Sequence, residues 1–399
     1  MAGLSLVKVA MLTDCYPPRL GGIESQVRDL SRHLVEAGHD VEVFTATTGP
    51  DGERGGATTV GDDGVTVHRL AIALPFGVPV NPFARSEVRR RLAAGGFDVA
   101  HAHLGVVSPF ATDLVPLALD LGLPVTATFH CVIDRSRPVF RAVGHLARWA
   151  RRGVALGAVS SMAAARVSDA ARGARVEVVP NGVDVAWWRT GAAGDAGAAA
   201  GVADDGTAVG GGARSGGAVH VVTATRLASR KRPLALLGAL RAARGLLDPA
   251  VPLRATVVGE GPQRRVLERY VRTHGLDWVE LPGRVDREAL RRLHHSADAY
   301  LTATRLEAFG IAALEARAAG LPVVALRGTG TDDFVRDGVE GLLADDDAGL
   351  AAALARLAGD DGLRERLRQH VRAVPPAQDW DGVLEATLAQ YHRAGVPVR

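Results

Sequence analysis

A short basic segment in the second half of the sequence has the composition of a phosphate-binding loop. Between Thr225 and Pro233, four cations fall within seven residues, and Lys231 among them is one of only two lysines in the chain. Pro233 suits the first turn of a helix, so Arg226 and Lys231 would flank a helix N-terminus, which favours anions. A diphosphate is the ligand that this arrangement suits best. The alternative is a basic loop that contacts only solvent.

Two glutamates further along the chain could contact one ligand together. Glu307 and Glu315 are eight positions apart, across a predicted junction of strand and helix. If the helix begins near Gly310, Glu307 precedes it and Glu315 lies about one turn inside, so the two could bind different parts of the ligand. The N–H groups of Phe309, Gly310 and Ile311 would then be free to donate to a phosphate. The alternative is two glutamates on an exposed helix.

A glycine pair near the N-terminus is a weaker signal of the same kind. The loop at 14–22 follows the first predicted strand and ends in Gly21 and Gly22, and Glu24 lies in the first turn of the helix after it. Paired glycines let a phosphate or a sugar approach backbone N–H groups at a helix N-terminus. An ordinary tight turn would have the same sequence.

A third glycine motif argues against a nicotinamide cofactor. Residues 259–264 read Gly-Glu-Gly-Pro-Gln-Arg, which begins like a dinucleotide-binding fingerprint but has Arg264 where the third glycine would stand. Without that glycine, close packing of the helix is lost. We expect a structural turn, with Pro262 at the start of a helix. We also expect no metal site at the Asp pairs 62–63, 204–205 and 332–333, which lie in loops.

Alternating strands and helices would position these loops. Short β-branched runs of the kind found in buried parallel strands occur in both halves of the chain. In such sheets, ligands bind beyond the carboxyl ends of the strands. We therefore predict an α/β fold with two doubly wound parallel-sheet domains. The predicted strands are residues 7–13, 41–45, 99–102, 125–129, 155–159, 176–179, 219–224, 255–258, 300–303 and 323–326.

A change of composition separates the two domains. Residues 190–218 are rich in Gly and Ala and contain no aromatic residue, so they cannot bury enough surface to offset the entropy of ordering. We predict a flexible linker or insertion there, between an N-terminal domain at 1–189 and a C-terminal domain at 219–375. Residues 376–399 would form a final helix, from Trp380 to His392, packed on the N-terminal domain. Residues 50–64 would form a smaller surface loop.

Composition excludes several classes of protein. With 399 residues, of which 47% are hydrophobic and 23% charged, the chain is too long for one ordinary core and is not disordered throughout. A formal charge of +3 is too small for non-specific binding of nucleic acid. No apolar run approaches the roughly 18 residues of a membrane-spanning helix. Two cysteines, Cys15 and Cys131, make no disulfide framework, so we expect a cytoplasmic location.

Taken together, these motifs resemble those of glycosyltransferase family 4, whose members are retaining enzymes that use nucleotide sugars. The resemblance implies the GT-B architecture, with two facing Rossmann-like domains and a cleft between them. It covers nearly the whole chain, and the motifs occur in the family's order. They are Gly21-Gly22-Ile23-Glu24, Thr128-Phe129-His130, Val179-Pro180-Asn181-Gly182-Val183-Asp184, Arg226 with Lys231, Gly259-Glu260-Gly261-Pro262, Gly283-Arg284-Val285, and Glu307 to Glu315.

The resemblance implies a role for each matching residue on the donor side. Arg226 and Lys231 would neutralise the donor diphosphate. Val285 would hold the base through its backbone, whereas Glu315 would bind the ribose and Glu307 the transferred sugar. The full set of implied donor-binding residues is Gly21, Gly22, Arg226, Lys231, Arg284, Val285, Glu307, Phe309, Gly310, Ile311 and Glu315.

On the acceptor side, the resemblance implies that His130 and Tyr16 face the acceptor and the reacting sugar. Glu24 and Asn181 would lie near them. The residues implied to be catalytic are Glu307, His130, Arg226 and Lys231.

The implied reaction moves a hexose from a UDP- or GDP-linked sugar to a hydroxyl group of a lipid-linked, polyol or saccharide acceptor, as in the synthesis of cell-envelope glycans. Fixed cations and helix N-termini would stabilise the departing diphosphate, so no metal or other cofactor is expected. The leaving phosphate would itself accept the proton of the acceptor. Two other possibilities are a sugar-nucleotide epimerase of the same architecture and a nucleotide-binding module without catalysis.

Three departures from the family's pattern bear on the identity of the donor sugar. The insertion at 190–218 is long for a junction between domains. Arg305 would place an extra cation near the sugar. Thr329-Gly330-Thr331 stands where the family often has paired glycines.

An arginine-rich stretch after His130 bears on the acceptor. Arginines at 135, 137, 141, 148, 151 and 152 are interleaved with Phe140, Val143, Leu146 and Trp149. A basic amphipathic helix there would contact the inner leaflet of a membrane and give access to a lipid acceptor, whereas a solvated arginine-rich face would have the same pattern. The N-terminal half is similar to actinobacterial inositol-lipid mannosyltransferases. Lipid and soluble polyol acceptors both stay open.

Overall fold

The chain folds into two compact units, which the computed structural model describes at residues 6–19, 21–61, 63–72, 79–134, 136–190 and 217–397. The first unit comprises the chain up to Gly182 together with the segment from Gln378 onward. The second unit runs from Val183 to Ala377. Most of the predicted linker at 190–218 lies outside the described residues.

The border between the units lies earlier than residue 189, where the composition placed it. A short helix at Val185–Arg189 belongs to the second unit. Its Trp188 is fully buried there, with its ring centroid 5.5 Å from that of His294. The neighbouring Trp187 lies 4.5 Å beneath the guanidinium of Arg287. Two packed tryptophans therefore fix the border, and composition alone does not show this.

The first unit contains an eight-stranded sheet with helices on its faces. Its elements up to the border are β1 (Lys8–Thr13), α1 (Gly22–Glu36), β2 (Asp40–Thr45), β3 (Ala57–Val60), β4 (Thr66–Arg69), α2 (Arg85–Ala94), β5 (Val99–Leu104), α3 (Pro109–Asp120), β6 (Val125–Phe129), α4 (Arg137–Val143), α5 (His145–Arg151), β7 (Ala155–Ala158), α6 (Ser161–Ala170) and β8 (Val176–Val178). The strands lie in the order β3-β4-β2-β1-β5-β6-β7-β8.

The central strands of this sheet are buried on both faces, as their continuous apolar runs predicted. All neighbouring strands are parallel except β3 and β4. Strand β3 corrects the prediction of a surface loop at 50–64. It is a four-residue edge strand whose side chains are alternately half-buried and exposed, so it lacks the apolar run that marks the central strands.

The second unit contains a six-stranded, wholly parallel sheet. Its elements are α7 (Val185–Arg189), β9 (Val219–Ala224), α8 (Pro233–Leu246), β10 (Leu253–Val258), α9 (Arg264–Thr273), β11 (Val279–Gly283), α10 (Arg287–Ser296), β12 (Ala299–Leu301), α11 (Ile311–Ala318), β13 (Val323–Leu326), β14 (Gly341–Ala344), α12 (Asp347–Gly359) and α13 (Asp361–Ala373). The strands lie in the order β11-β10-β9-β12-β13-β14. Two parallel doubly wound sheets confirm the predicted fold class.

The chain ends in helix α14 (Trp380–Arg393), which belongs to the first unit. Its Trp380 stacks on His33 of α1 with ring centroids 4.6 Å apart. Its Tyr391 is buried in the same apolar cluster as Met11 and Val43. Residues distant in sequence thus complete the core of the first unit.

The second unit contains a cluster of charged side chains around the buried carboxylate of Glu340. Glu340 is only 3% exposed and lies 3.8 Å from Arg317 and 3.3 Å from His370. Arg336 donates to it from both its backbone and its guanidinium. Burial alone would raise the pKa of this carboxyl, but the bonds from Arg336 and the charge of Arg317 lower the pKa to about 2.

Replacing Glu340 is expected to destabilise the second unit and to change its response to acid. The pKa of this carboxyl is lower in the folded state than its ordinary value of 4.5, so its contribution is complete above pH 4.5 and is lost as the pH falls towards 2. Glu340→Gln should cost about 3 kcal/mol at pH 7, because it leaves Arg317 buried without its partner. Urea unfolding between pH 2 and pH 7 measures both effects, with exposed Glu365→Gln as the control. If the free energy of unfolding of Glu340→Gln fell below pH 4.5 as steeply as that of the wild type, the assignment would be contradicted.

Candidate active site

The second sheet brings two predicted site residues into direct contact. After β9 the chain turns to β10 on one side, whereas β12 lies on the other side, so the loops after β9 and β12 meet at the switch point of the sheet. Lys231 follows β9 and Glu307 follows β12. Lys231 Nζ donates to Glu307 Oε2 at 2.6 Å. The lysine side chain is 34% exposed and the glutamate 18%, so the pair is open to a ligand from one side.

The glycine motif after β10 is a turn, as predicted, and it packs against the basic loop after β9. A Cβ atom on Gly259 would lie 1.8 Å from the carbonyl oxygen of Thr225, and one on Gly261 would lie 2.4 Å from that of Leu227. The N–H of Leu227 donates to the carbonyl of Glu260 at 2.9 Å. Helix α9 was predicted to begin at Pro262 but begins at Arg264. Pro262 lies in the turn that precedes the helix.

The cations of this region have different partners. Arg232 donates to Asp347 at 2.6 Å and to the carbonyl of Ala303 at 2.9 Å. Arg305 pairs with the same Asp347 at 3.3 Å, so the extra cation expected near the sugar is tied to a carboxylate on α12. Arg226 is exposed and forms no ion pair with any residue in the described ranges. Arg226 is therefore accessible to an anionic ligand, and Lys231 is partly exposed beside Glu307.

The loop that carries Glu307 is fixed by a close backbone contact. The N–H of Gly330 donates to the carbonyl of Glu307 at 2.9 Å, and a Cβ atom on Gly330 would lie 2.1 Å from the carbonyl oxygen of Ala308. This contact leaves no room for a side chain at Gly330, the position where the family often has paired glycines. The sequence alone indicated no role for this glycine.

Helix α11 begins at Ile311, directly after Gly310, as predicted. Gly310 has a φ of +95°, which favours glycine, and the ring of Phe309 is buried against Phe334. Within the described part of the chain, the N–H groups of Phe309, Gly310 and Ile311 make no hydrogen bond. Three backbone donors are therefore free beside Glu307.

A buried tyrosine supports this site and was missed by the sequence analysis. The hydroxyl of Tyr300 on β12 donates to the carbonyl of Ala224 at the end of β9, at 3.0 Å. Burial raises the pKa of Tyr300, and the nearby charges of Glu315 and Glu307 raise this pKa further. The sequence feature that could have indicated Tyr300 is a phenol side chain within an otherwise aliphatic strand.

Glu315 lies within α11, and the other two donor-side residues of the second unit lie along the same edge of the sheet. Arg284 and Val285 follow β11, two strands away from β9, and Arg284 is exposed. In the part of the chain that the structure describes, no hydrogen bond or ion pair joins them to Lys231 or Glu307. They share the carboxyl edge with the pair but do not contact it.

The predicted residues of the first unit also follow the strands of their sheet. Helix α1 begins at Gly22, and a side chain on Gly21 would lie 2.3 Å from the carboxylate of Glu24. Glu24 is buried and pairs with Arg19 at 3.4 Å. Tyr16 is buried in the apolar core with Arg69 above its ring, so it is a core residue in this structure and not an exposed acceptor contact.

His130 and Asn181, two of the predicted acceptor-side residues, lie close enough for their side chains to interact. His130 Nε2 lies 3.0 Å from His103 Nδ1, and its own Nδ1 is buried without a partner in the described chain. Burial lowers the pKa of His130 to about 4, and the side chain of Asn181 partly offsets that effect. Gln26 holds the loop after Asn181 through two hydrogen bonds of 2.9 Å to the backbone of Gly182.

The N-terminus of helix α3 is capped by the buried carboxylate of Asp14. Asp14, which follows β1, accepts hydrogen bonds from the N–H groups of Phe110 and Ala111 at 3.0 Å each. Burial raises the pKa of Asp14 to about 6, although these bonds oppose the increase. The N-terminus of α3 is therefore already satisfied by a carboxylate.

Cys15 and Cys131 are free thiols, and burial raises the pKa of Cys15 to about 11. Within the described ranges, no group of three or more His, Cys, Asp or Glu side chains is arranged to hold a metal ion. Residues 62, 204 and 205 lie outside those ranges.

The arginine-rich stretch forms two short helices and not one amphipathic helix, because Gly144 with a φ of +67° separates α4 from α5. Leu146 and Trp149 are buried, whereas Val139 and Val143 are 63% and 53% exposed. Asp169 pairs with the arginines at 137 and 141. Arg135 lies outside the described residues. No described helix is both long and apolar enough to cross a bilayer.

Both halves of the chain match known proteins. A family model described as Glycosyltransferase Family 4 matches residues 20–187, and one described as Glycosyl transferases group 1 matches residues 214–374. The chain is 30% identical over 406 residues to a D-inositol 3-phosphate glycosyltransferase of Pseudarthrobacter chlorophenolicus, with 94% of this chain and 90% of the relative covered. It is 30% identical over 395 residues to a phosphatidyl-myo-inositol mannosyltransferase of Mycolicibacterium smegmatis, with 95% and 92% covered.

Solved structures share the fold at lower identity. Anabaena HepE in complex with UDP and glucose matches 96% of this chain and 100% of its own, with a TM-score of 0.68 and 17% identity. Sucrose-phosphate synthase from Thermosynechococcus elongatus matches 98% of this chain and 99% of its own, with a TM-score of 0.68 and 20% identity. These likenesses concern the architecture.

Proposed function

Because this chain belongs to glycosyltransferase family 4, we propose that it is a retaining enzyme that moves a hexose from a nucleotide diphosphate sugar to a hydroxyl group of an inositol-bearing acceptor. The contact between Lys231 and Glu307 carries the proposal. A cation suited to a diphosphate and a carboxylate suited to sugar hydroxyls lie side by side at the switch point, where sheets of this kind bind ligands.

The cations and backbone donors of the second unit would stabilise the leaving group. Negative charge develops on the diphosphate as the bond to the sugar breaks. Arg226 and Lys231 supply positive charge, and the free N–H groups from Phe309 to Ile311 supply hydrogen bonds. One well-placed donor of this kind contributes about 3 kcal/mol to transition-state stabilisation. We propose a reaction without a metal, because these groups supply the positive charge that a metal ion would supply.

The transfer would proceed on one face of the sugar. The bond from the anomeric carbon to the phosphate oxygen breaks while the bond to the acceptor oxygen forms, and the leaving phosphate takes the proton of the acceptor. Glu307 would accept hydrogen bonds from the hydroxyls of the transferred sugar and hold its anomeric carbon in place. No side chain is then needed as the general base.

The acceptor class rests on the relatives and on the first unit. The two relatives described above are named for inositol phosphate and phosphatidylinositol. His130 and Asn181 would bind acceptor or sugar hydroxyls. The exposed Val139 and Val143 beside the arginines of α4 suit a peripheral contact with the cytoplasmic face of a membrane, which favours a lipid acceptor.

A transfer assay tests this proposal. The full chain is incubated with UDP-, GDP- and ADP-linked hexoses, each with soluble inositol phosphate or with phosphatidylinositol vesicles. We expect one nucleotide to raise the Tm, and we expect a hexosyl-inositol product with the anomeric configuration of the donor by NMR. Product from vesicles alone would identify the lipid acceptor.

Three outcomes would overturn parts of the proposal. A product of inverted configuration would exclude retention. Conversion of the donor sugar without change of mass and without an acceptor would indicate an epimerase. A folded sample that neither transfers nor hydrolyses any donor would exclude the proposed activity.

A further inference from the structure

Two buried histidines and one half-buried histidine form a row that ends at the carboxyl edge of the first sheet. His101 and His103 lie on β5, and His130 follows β6. Their ring centroids are 4.0 Å apart for the first pair and 5.2 Å apart for the second. His101 bonds to the hydroxyl of Tyr391 at 3.0 Å and to Thr128 at 2.9 Å, and it makes no bond to the other two. The two rings of the row that are bonded to each other are therefore His103 and His130.

The partners of His103 determine where its proton lies. His103 Nε2 is 3.3 Å from the sulfur of Met11, and His103 Nδ1 is 3.0 Å from His130 Nε2. A thioether sulfur carries lone pairs and no proton, so it can only accept. His103 consequently carries its proton on Nε2, and its Nδ1 lone pair accepts from His130.

This arrangement fixes the second ring as well. His130 must donate through Nε2–H, which leaves its Nδ1 without a proton. In the opposite arrangement, a lone pair on His103 Nε2 would face a lone pair on sulfur, and no hydrogen bond would form there. Burial lowers the pKa of His130 to about 4 and holds the pKa of His103 well below its ordinary range. Both rings are therefore neutral at pH 7, with one proton each.

We propose that Met11 and His103 are positioning residues that hold His130 in the Nε2–H tautomer, so that its Nδ1 accepts a hydrogen bond from a hydroxyl group of the bound sugar or polyol. The Nδ1 atom is buried and lies within hydrogen-bond distance of no described polar atom, although the side chain of Asn181 is near enough to raise the pKa of His130. A hydroxyl group of the ligand would supply the missing donor. The backbone N–H of His130 donates to the carbonyl of Leu104 at 2.8 Å, which anchors the main chain that carries the ring. The role of the hydroxyl rests on the proposed function, whereas the tautomer does not.

Nitrogen NMR of the ¹⁵N-histidine-labelled full chain measures the tautomer without any substrate. The signals of His130, one of 13 histidines, are assigned by their loss in His130→Asn. We expect a protonated Nε2 and an unprotonated Nδ1. Met11→Leu keeps the side-chain volume and removes the acceptor, so both rings are expected to shift towards the Nδ1–H form. His103→Leu should release His130 in the same way.

Two further variants separate positioning from stability. His103→Asn keeps an acceptor near the position of Nδ1 and is expected to restore the Nε2–H form of His130. Tyr391→Phe alters only the partner of His101 and should leave the His130 signals unchanged. In the transfer assay, Met11→Leu should lower kcat about tenfold, the cost of one hydrogen bond, without changing nucleotide affinity.

The proposal fails if wild-type His130 carries its proton on Nδ1, or if its tautomer is the same in Met11→Leu and His103→Leu as in the wild type. Because the NMR readout needs no donor or acceptor, a protein without transfer activity could still show the expected tautomer. That result would overturn the proposed function and leave the positioning of His130 intact.

Discussion

Glu307→Gln is expected to lower the rate of hexose transfer by about 10² to 10³-fold while nucleotide affinity stays within about twofold. The amide keeps the size of the side chain but removes the charge that pairs with Lys231 at 2.6 Å. It also weakens acceptance of hydrogen bonds from the sugar hydroxyls. The contacts proposed for Arg226 and the backbone donors with the nucleotide are untouched, so the loss should appear in kcat.

Initial transfer rates and nucleotide-dependent thermal shifts measure the two quantities separately. The matched control is Glu288→Gln, an exposed glutamate on α10 of the same unit that pairs with Arg291. Glu307→Ala should be at least as impaired as Glu307→Gln. Transfer by Glu307→Ala at more than about a tenth of the wild-type rate would remove Glu307 from the catalytic set.

Gly330→Ala is expected to destabilise the second unit by about 1–3 kcal/mol and to lower transfer about 10²-fold. The added Cβ would lie 2.1 Å from the carbonyl oxygen of Ala308 and 2.5 Å from the Cα atom of Phe309, so the backbone of one loop must move. That movement also disturbs the hydrogen bond from Gly330 to the carbonyl of Glu307. A single methyl group should therefore displace the carboxylate of Glu307, which we propose to bind the sugar.

Urea unfolding and transfer assays of Gly330→Ala test this expectation. Gly238→Ala serves as the control, because Gly238 lies within α8 and its Cβ would meet nothing within 4 Å. That variant should be neutral or more stable by roughly 0.5–1 kcal/mol. If Gly330→Ala kept full stability and full transfer, the close contact would have no functional consequence.

The central strands and the contacting pair could be predicted from the sequence, because their signals are local or follow from strand order. The buried runs at 125–129, 219–224 and 323–326 match β6, β9 and β13. The general rule for doubly wound sheets then places Lys231 and Glu307 at one switch point. Edge strands such as β3 and β14 gave no comparable signal, since each is four residues long, β3 has two central threonines, and β14 has no β-branched residue.

Other features depend on contacts between distant residues and could not be predicted. The sequence predicted that Arg305 would be an extra cation near the sugar. Its partner Asp347 is 42 residues away in sequence, so the pairing could not be predicted. Gly330 and Met11 are ordinary residues until the strand order places them against Ala308 and His103. Tyr16 matched a family position, yet the fold buries it in the core.

The return of the chain to the first unit has a consequence for biosynthesis. The second unit is inserted between Gly182 and Gln378, and α14 supplies Trp380 and Tyr391 to the apolar core of the first. During translation, the second unit can leave the ribosome and fold as a continuous segment, whereas the first must wait for α14. Nascent chains halted before that helix should therefore hold a protease-resistant second unit beside a first unit that is still open to chaperones.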